Sequence, residues 1–248
     1  MRPGGRRAGA ALAAALALIT CTRAPAAAPL AAGGGFDYYS GPGGQITRSA
    51  LAIASLATAG GGAVTLAGIR FDDSDVGQGS AVLGAVAAPL APAVSLRAWG
   101  TRYLGDGAFR AWRLKTGPWV GRDGGPNLGL AYQRSTDNAG GRSDAAIAEA
   151  AMPLAPRWTG RASAAYASVA GGPNAAQAEF GLDWSPTGPL TLSADVGLAR
   201  NGALATAPVP RRGLLGLPLL GGGQDAAPAE GSRGAAATVL LGMRLLFP

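Results

Sequence analysis

Histidine, the side chain that most often moves protons near neutral pH, does not occur in this chain. Cysteine occurs once, as Cys21, in an apolar N-terminal stretch. Nucleophile–base pairs of the Ser–His or Cys–His kind therefore have no base, and imidazole or thiolate metal sites have no ligands. Carboxylate chemistry remains. Two carboxyl groups can serve as acid and base on a glycosidic bond, and Glu179 with Asp183 or Asp195 are the candidates that share one strand face. Charges on such a face are far more often paired or solvated wall residues, so no catalytic residue is assigned. Asp72, Asp73 and Asp75 lack the spacing and the closing Glu of a calcium loop and read as a solvated turn. The glycine runs at 33–35, 60–62 and 221–223 precede no Lys-Ser/Thr and sit in no βαβ pattern. No cofactor and no metal are expected.

Strands must position whatever these residues do. Residues 157–201 alternate in character almost residue by residue. Trp158, Gly160, Ala162, Ala164 and Tyr166 oppose Arg157, Thr159, Arg161, Ser163 and Ala165. Ala176, Ala178, Phe180, Leu182 and Trp184 oppose Gln177, Glu179, Gly181 and Asp183, and Leu190–Leu198 repeats the pattern against Thr191, Ser193, Asp195 and Gly197. Period two places successive side chains on opposite faces of a strand. Trp158 and Trp184 stand on the apolar face beside turns, with Tyr166 on that face towards the other end. An apolar band fringed by aromatics is what a lipid-facing barrel strand needs at its two water interfaces.

The first residues read as an export signal. Arg2, Arg6 and Arg7 form a basic head, 8–19 is an apolar run, and small residues then offer cleavage after Ala26 or Ala32. That run is short for a transmembrane helix. The segment ending at Cys21 also resembles a lipoprotein signal, departing from it in Thr20. The formal charge of +7 falls to +3 once Arg2, Arg6, Arg7 and Arg23 are removed, and the remaining arginines are scattered, so nucleic acid is not an expected partner. Ala and the 41 Gly suit a closely packed sheet.

Beyond the leader the chain reads as one domain of repeated strand and turn. Strands are expected at 36–39, 46–56, 63–71, 80–88, 93–104, 109–116, 128–133, 144–152, the three legs above and 235–247. Short Pro-bounded turns at 89–92, 153–156 and 185–189 alternate with longer polar loops, the longest a Pro/Gly-rich stretch at 202–234. This asymmetry and an even strand number belong to outer-membrane barrels. The fold class is all-β: a single antiparallel up-and-down transmembrane β-barrel of about twelve strands, with ten or fourteen as alternatives because 36–39 is weak and 212–220 could add a hairpin. Arg97, Arg113, Lys115, Glu149, Arg161, Glu179, Asp183, Asp195 and Arg244 fall on the polar, lumen-facing side. Tyr132, Trp158, Tyr166, Trp184 and Phe247 fall at the membrane interfaces. The turn at 153–156 joins two strands, and aligning lipid-facing Met152 with Trp158 sets their register, which brings Glu149 opposite Arg161 as a cross-strand salt bridge.

On these residues the chain resembles bacterial outer-membrane β-barrel proteins as a broad class. Val239, Leu241, Met243, Leu245 and Phe247 form the amphipathic terminal strand, with its closing aromatic, that the class presents to its assembly machinery; Pro248 departs from the pattern by one residue. The resemblance implies residence in the outer membrane, with the lipid bilayer, lipopolysaccharide and that machinery as partners. Hydrolases of the class depend on a histidine, so the resemblance implies no enzyme here. Small side chains such as Ser163, Gly181, Ser193 and Gly197 leave room for water inside. A narrow pore for small polar solutes or a saccharide is therefore expected. The alternatives are a closed barrel acting through its outer loops and a soluble periplasmic lipocalin-like binder.

Overall fold

A computed structural model of the chain describes residues 30–40, 46–58, 60–74, 77–105, 110–121, 125–138, 140–172, 174–200, 211–212, 218–219 and 235–247. Residues 1–29 of the expected 1–32 leader, with Cys21 and the cleavage position at Ala26, and almost all of the 202–234 loop lie outside them, whereas 30–32 belong to the first strand. The strands are β1 (Leu30–Ser40), β2 (Ile46–Ala57), β3 (Ala63–Asp73), β4 (Gly77–Ala91), β5 (Val94–Gly105), β6 (Arg110–Gly121), β7 (Asn127–Asp137), β8 (Arg142–Ala155), β9 (Trp158–Val169), β10 (Ala175–Thr187), β11 (Leu190–Arg200), β12 (Arg211–Arg212), β13 (Pro218–Leu219) and β14 (Ala235–Phe247). β1–β11 and β14 form one closed antiparallel barrel of twelve strands in sequence order, and β12–β13 make a separate two-stranded piece rather than two further staves. Closure leaves no unpaired edge, and all the backbone polar groups of a spanning strand then have partners.

β1 begins earlier than the sequence suggests. The glycine run, expected as a loop, lies inside it and forms the closing seam with β14, where Gly33 pairs with Leu246 and Gly35 with Arg244. A side chain at Gly33 or Gly35 would run into the backbone carbonyls of Leu245 or Met243. The seam closes this tightly because glycine leaves the space. Pairing of Ala32 with Phe247 brings both ends of the barrel to one rim, called here the near rim.

The near-rim turns are tighter than expected. Ala91 pairs with Val94, Ala155 with Trp158 and Thr187 with Leu190, so each turn is two residues long. Just before each one the register shifts, at Pro89/Ala91, Pro153/Ala155 and Trp184/Thr187. Pro89, Pro153 and Pro186 have no N–H for the ladder, and a bulge is where a strand accommodates that loss. The proline therefore bends the strand without ending it. One expectation is overturned in consequence: Met152 pairs with Gly160, not Trp158, and Glu149 faces Ser163, not Arg161. Two other expected connections are also partly strand. Asp72 and Asp73 belong to β3, and β6 continues through Gly117 and Pro118 to Gly121.

Alternate residues point out and in. Outward side chains include Leu114, Val120, Leu128, Leu130, Phe180, Leu182, Val196 and Leu198, all exposed. A sheet that turns this much hydrocarbon outward all round is matched to lipid rather than water. Trp158 and Trp184 are cross-strand partners at the near rim, their rings stacked with centroids 5.7 Å apart and planes 17° from parallel. Phe247 is exposed at the same rim, and Tyr132 and Tyr166 both flank Ala146 on the outer face. Phe36, Tyr38 and Trp112 are further outward aromatics.

Outward arginines are one-sided. Arg48, Arg70, Arg102 and Arg134 lie within three residues of the far ends of their strands, and Arg110, Arg142 and Arg200 are the far-end residues themselves. Near the opposite rim the outer face carries only Arg157, in a turn, among the described residues.

Candidate functional site

The interior is divided into two walls by the residue types that the pleat turns inward. From β2, β3 and β4 come Leu51, Ile53, Ala67, Ile69, Phe71, Ala81, Leu83 and Ala85, which pack with Trp99, Tyr103, Ala111, Trp119 and Leu246 into one apolar cluster. Many bulky residues of these strands thus face inward, while their outer face mixes small residues such as Ala50, Ala52, Gly68 and Gly84 with exposed Leu56, Leu66 and Val82. The other wall, from β6–β11, β14 and the middle of β1, is largely polar, interrupted by a smaller apolar cluster of Ala131, Ala145, Ile147, Ala165, Ala167 and Ala175.

Between them, β5 and β6 present a ladder of cations on aromatic rings. Arg97 lies over the Trp119 ring with its guanidinium carbon 4.4 Å from the centroid, Lys115 over Trp99 at 5.0 Å and Arg113 over Tyr103 at 5.4 Å. Each cation gains from the negative face of the ring it covers. Lys115 also forms a salt bridge with Glu149, reaching across β7, and both side chains are buried.

The second group centres on Arg161. Its Nε is 2.8 Å from Asp183 and its Nη2 is 2.7 Å from Asp195, so one guanidinium holds two carboxylates on neighbouring strands. Gly181 pairs with Arg161 on one side and Asp195 on the other, and a Cβ there would collide with the Asp195 carboxylate. The third group ties the seam. Arg244, 1% exposed, bridges to Asp37 and donates to the carbonyls of Phe36 (3.1 Å) and Met243 (2.9 Å). Gln177 donates to Glu179.

All nine charged residues expected inside, Arg97, Arg113, Lys115, Glu149, Arg161, Glu179, Asp183, Asp195 and Arg244, thus occupy the interior face. They are not brought together as one site, and the Glu149–Arg161 contact gives way to Lys115–Glu149 and Arg161–Asp183/Asp195. Glu179, Asp183 and Asp195 do share a wall, but with the two aspartates committed to Arg161 the arrangement is a salt-bridge brace rather than an acid–base pair. Sequence reasoning assigned no site role to Asp37, Asp73, Trp99, Trp119, Gln133 or Gln177, all buried on the inner face. Parity with Arg97 was the available signal for Trp99; nothing local distinguishes the inner from the outer apolar face in β2–β4. Among the described residues no cluster of three or more acidic, Cys or His side chains could hold a metal.

Several buried inner polar atoms have no protein hydrogen-bond partner: Trp99 Nε1, Trp119 Nε1, Gln133 Oε1, Ser135 Oγ and Gln177 Oε1. Left dry, each such group costs about 1–3 kcal/mol. The polar part of the interior is therefore chemically suited to water or to a hydroxyl-bearing solute, while the apolar cluster and the ion pairs narrow it.

No family model matches the sequence, and no curated protein does either. Solved structures match the fold. The KdgM porin in complex with disordered oligogalacturonate aligns at TM-score 0.57 and 10% identity, over 86% of this chain and 99% of that one. The NanC porin aligns at TM-score 0.56 and 10% identity, over 88% and 99%. The architecture of this chain is that of the outer-membrane β-barrel porins.

Proposed function

We propose that the protein resides in the bacterial outer membrane and forms a narrow passage for small polar solutes, saccharides among them. The observation that carries this is the set of partnerless polar atoms beside the β5–β6 ladder: indole N–H groups, aromatic faces and cations are the groups that hold a sugar ring and its hydroxyl or carboxylate substituents. The KdgM complex, with its oligogalacturonate, supports an acidic saccharide as a candidate solute. We read the barrel as non-catalytic, since it lacks histidine and Asp183 and Asp195, which share a wall with Glu179, are braced by Arg161.

Burial of the inner residues favours a second reading. Leu83 and Thr65 are 0% exposed on the inner face, as expected of a barrel closed by its own side chains and acting through its outer loops. Conductance across a planar bilayer separates the two. The passage reading expects discrete conductance steps, a shift of ion selectivity away from anions in Arg97→Gln/Arg113→Gln, and partial block by oligogalacturonate. A correctly folded barrel that never conducts would establish the closed reading.

A further inference from the structure

The outer surface carries a groove that solute passage does not use. Two neighbouring register rows of outward side chains cross the closing seam obliquely. One runs Leu192, Met243, Phe36, Ala50 and Arg70 over β11, β14, β1, β2 and β3. The other places Leu241, Tyr38, Arg48 and Asp72 beside it. Together they border a cavity of about 800 Å³. Ala50 is its shallow floor, between the larger Phe36 and Arg70.

Its two ends differ in depth and in chemistry. Leu192 is two residues from the near end of β11, whereas Arg70 is three residues from the far end of β3. The row crosses four strand spacings, roughly 19 Å measured perpendicular to the strands, and the tilt of the strands carries it from near one rim towards the other. So the groove is hydrocarbon-lined at depth and cationic at the far rim. Arg48 and Arg70 are diagonal neighbours on adjacent strands, about 7–8 Å apart and somewhat less at Cβ, a spacing at which two guanidinium forks can converge on one phosphate. Neither is in a salt bridge among the described residues. Asp72 stands opposite Arg48 and lowers the local charge to a net single positive.

We propose that this groove is a lipid site: a phosphate-bearing lipid of the outer leaflet seats its phosphate between Arg48 and Arg70 and lays an acyl chain over Ala50 along Phe36, Met243 and Leu192. Arg134 and Arg142 provide the contrast. They are also outward at the far rim, but Asp144 already holds both, at 2.7 and 3.1 Å.

The proposal rests on the membrane placement and not on conductance. Its test is native mass spectrometry of the full chain in detergent, titrated with phosphatidylglycerol or with a diacylglycerol of the same chains. The wild type should retain about tenfold more of the phosphate-bearing lipid. Arg48→Gln/Arg70→Gln should abolish that preference, Ala50→Trp should reduce retention of both lipids, and Arg134→Gln/Arg142→Gln should behave as wild type. Excess inorganic phosphate should fail to displace the lipid. Heat-modified gel mobility confirms that each variant is folded. Equal retention of the two lipids, or equal loss in both arginine pairs, would overturn the site, the second outcome by showing a diffuse charge effect. Failure of the membrane placement would register differently, as recovery of the wild type in the soluble fraction.

Discussion

At the scale of single residues, Arg161 is the side chain on which most depends. It is buried on β9 and bridges Asp183 of β10 and Asp195 of β11. Removing one partner of a buried ionic group leaves the others uncompensated, which costs about 3–5 kcal/mol where water is scarce. Arg161→Met is therefore expected to lower the stability of the folded barrel by roughly 3 kcal/mol, measured by urea titration in lipid vesicles. Asp183→Asn should cost much less, because Asp195 still faces the guanidinium. Gly181→Val should behave like the arginine variant, since its side chain would occupy the space through which Arg161 and Asp195 meet. A tolerated Gly181→Val would show that this cluster is looser than its geometry.

Among the elements, the near-rim hairpins and the last strand carry the distinctive physics. Each of the short turns follows a proline-containing bulge, so register is decided in the last few residues of β4, β8 and β10 rather than in the turn itself. β14 pairs with β1 and β11 at once and closes the barrel. Phe247 sits at its near end, exposed to lipid and opposite Ala32. We expect Phe247→Ala to reduce insertion into the outer membrane several-fold while deletion of Pro248 does not, scored by protease protection and heat-modified mobility. Full insertion of both variants would remove the terminal strand from any role in assembly.

For the whole molecule, the outward hydrocarbon and the one-sided arginines suggest an orientation. We expect the arginine-bearing rim at the polar outer face and the rim carrying Trp158, Trp184 and Phe247 at the periplasmic one. The protein should fractionate with outer membranes and require detergent for release; recovery in a salt wash would refute that placement. The mature N-terminus follows from the same closure. Leu30, Ala31 and Ala32 pair with Leu56, Ser55 and Ala54, and cleavage after Ala32 would strip those pairs from β1. We therefore expect Ala27 as the first residue of the membrane-embedded protein, by intact mass. A mature chain starting at Gly33 would show that the seam does not need them.

Local pattern alone determined the strand class, the even count, the bounds of the last strand at 235–247 and the inward parity of residues such as Arg161, Asp195 and Arg244. These follow from the pleat, which sends neighbouring side chains to opposite faces whatever the rest of the chain does. The partners of those residues were not legible. A bulge at Pro153 slides Met152 from Trp158 to Gly160, and the tilt of a closed barrel brings Lys115 to Glu149 across an intervening strand, so ion pairing depends on register summed over several strands. The facing of β2–β4 was equally undecided, because Leu51 and Leu83 alternate with Ala50, Ala52, Val82 and Gly84 rather than with polar residues, and a lipid-facing reading fits either side. Only closure, which turns the bulky set inward against Trp99 and Trp119, made that choice. The seam likewise needed the fold: a Gly-Gly-Gly run signals a loop locally, and becomes a strand because β14 must approach closer than any side chain would allow.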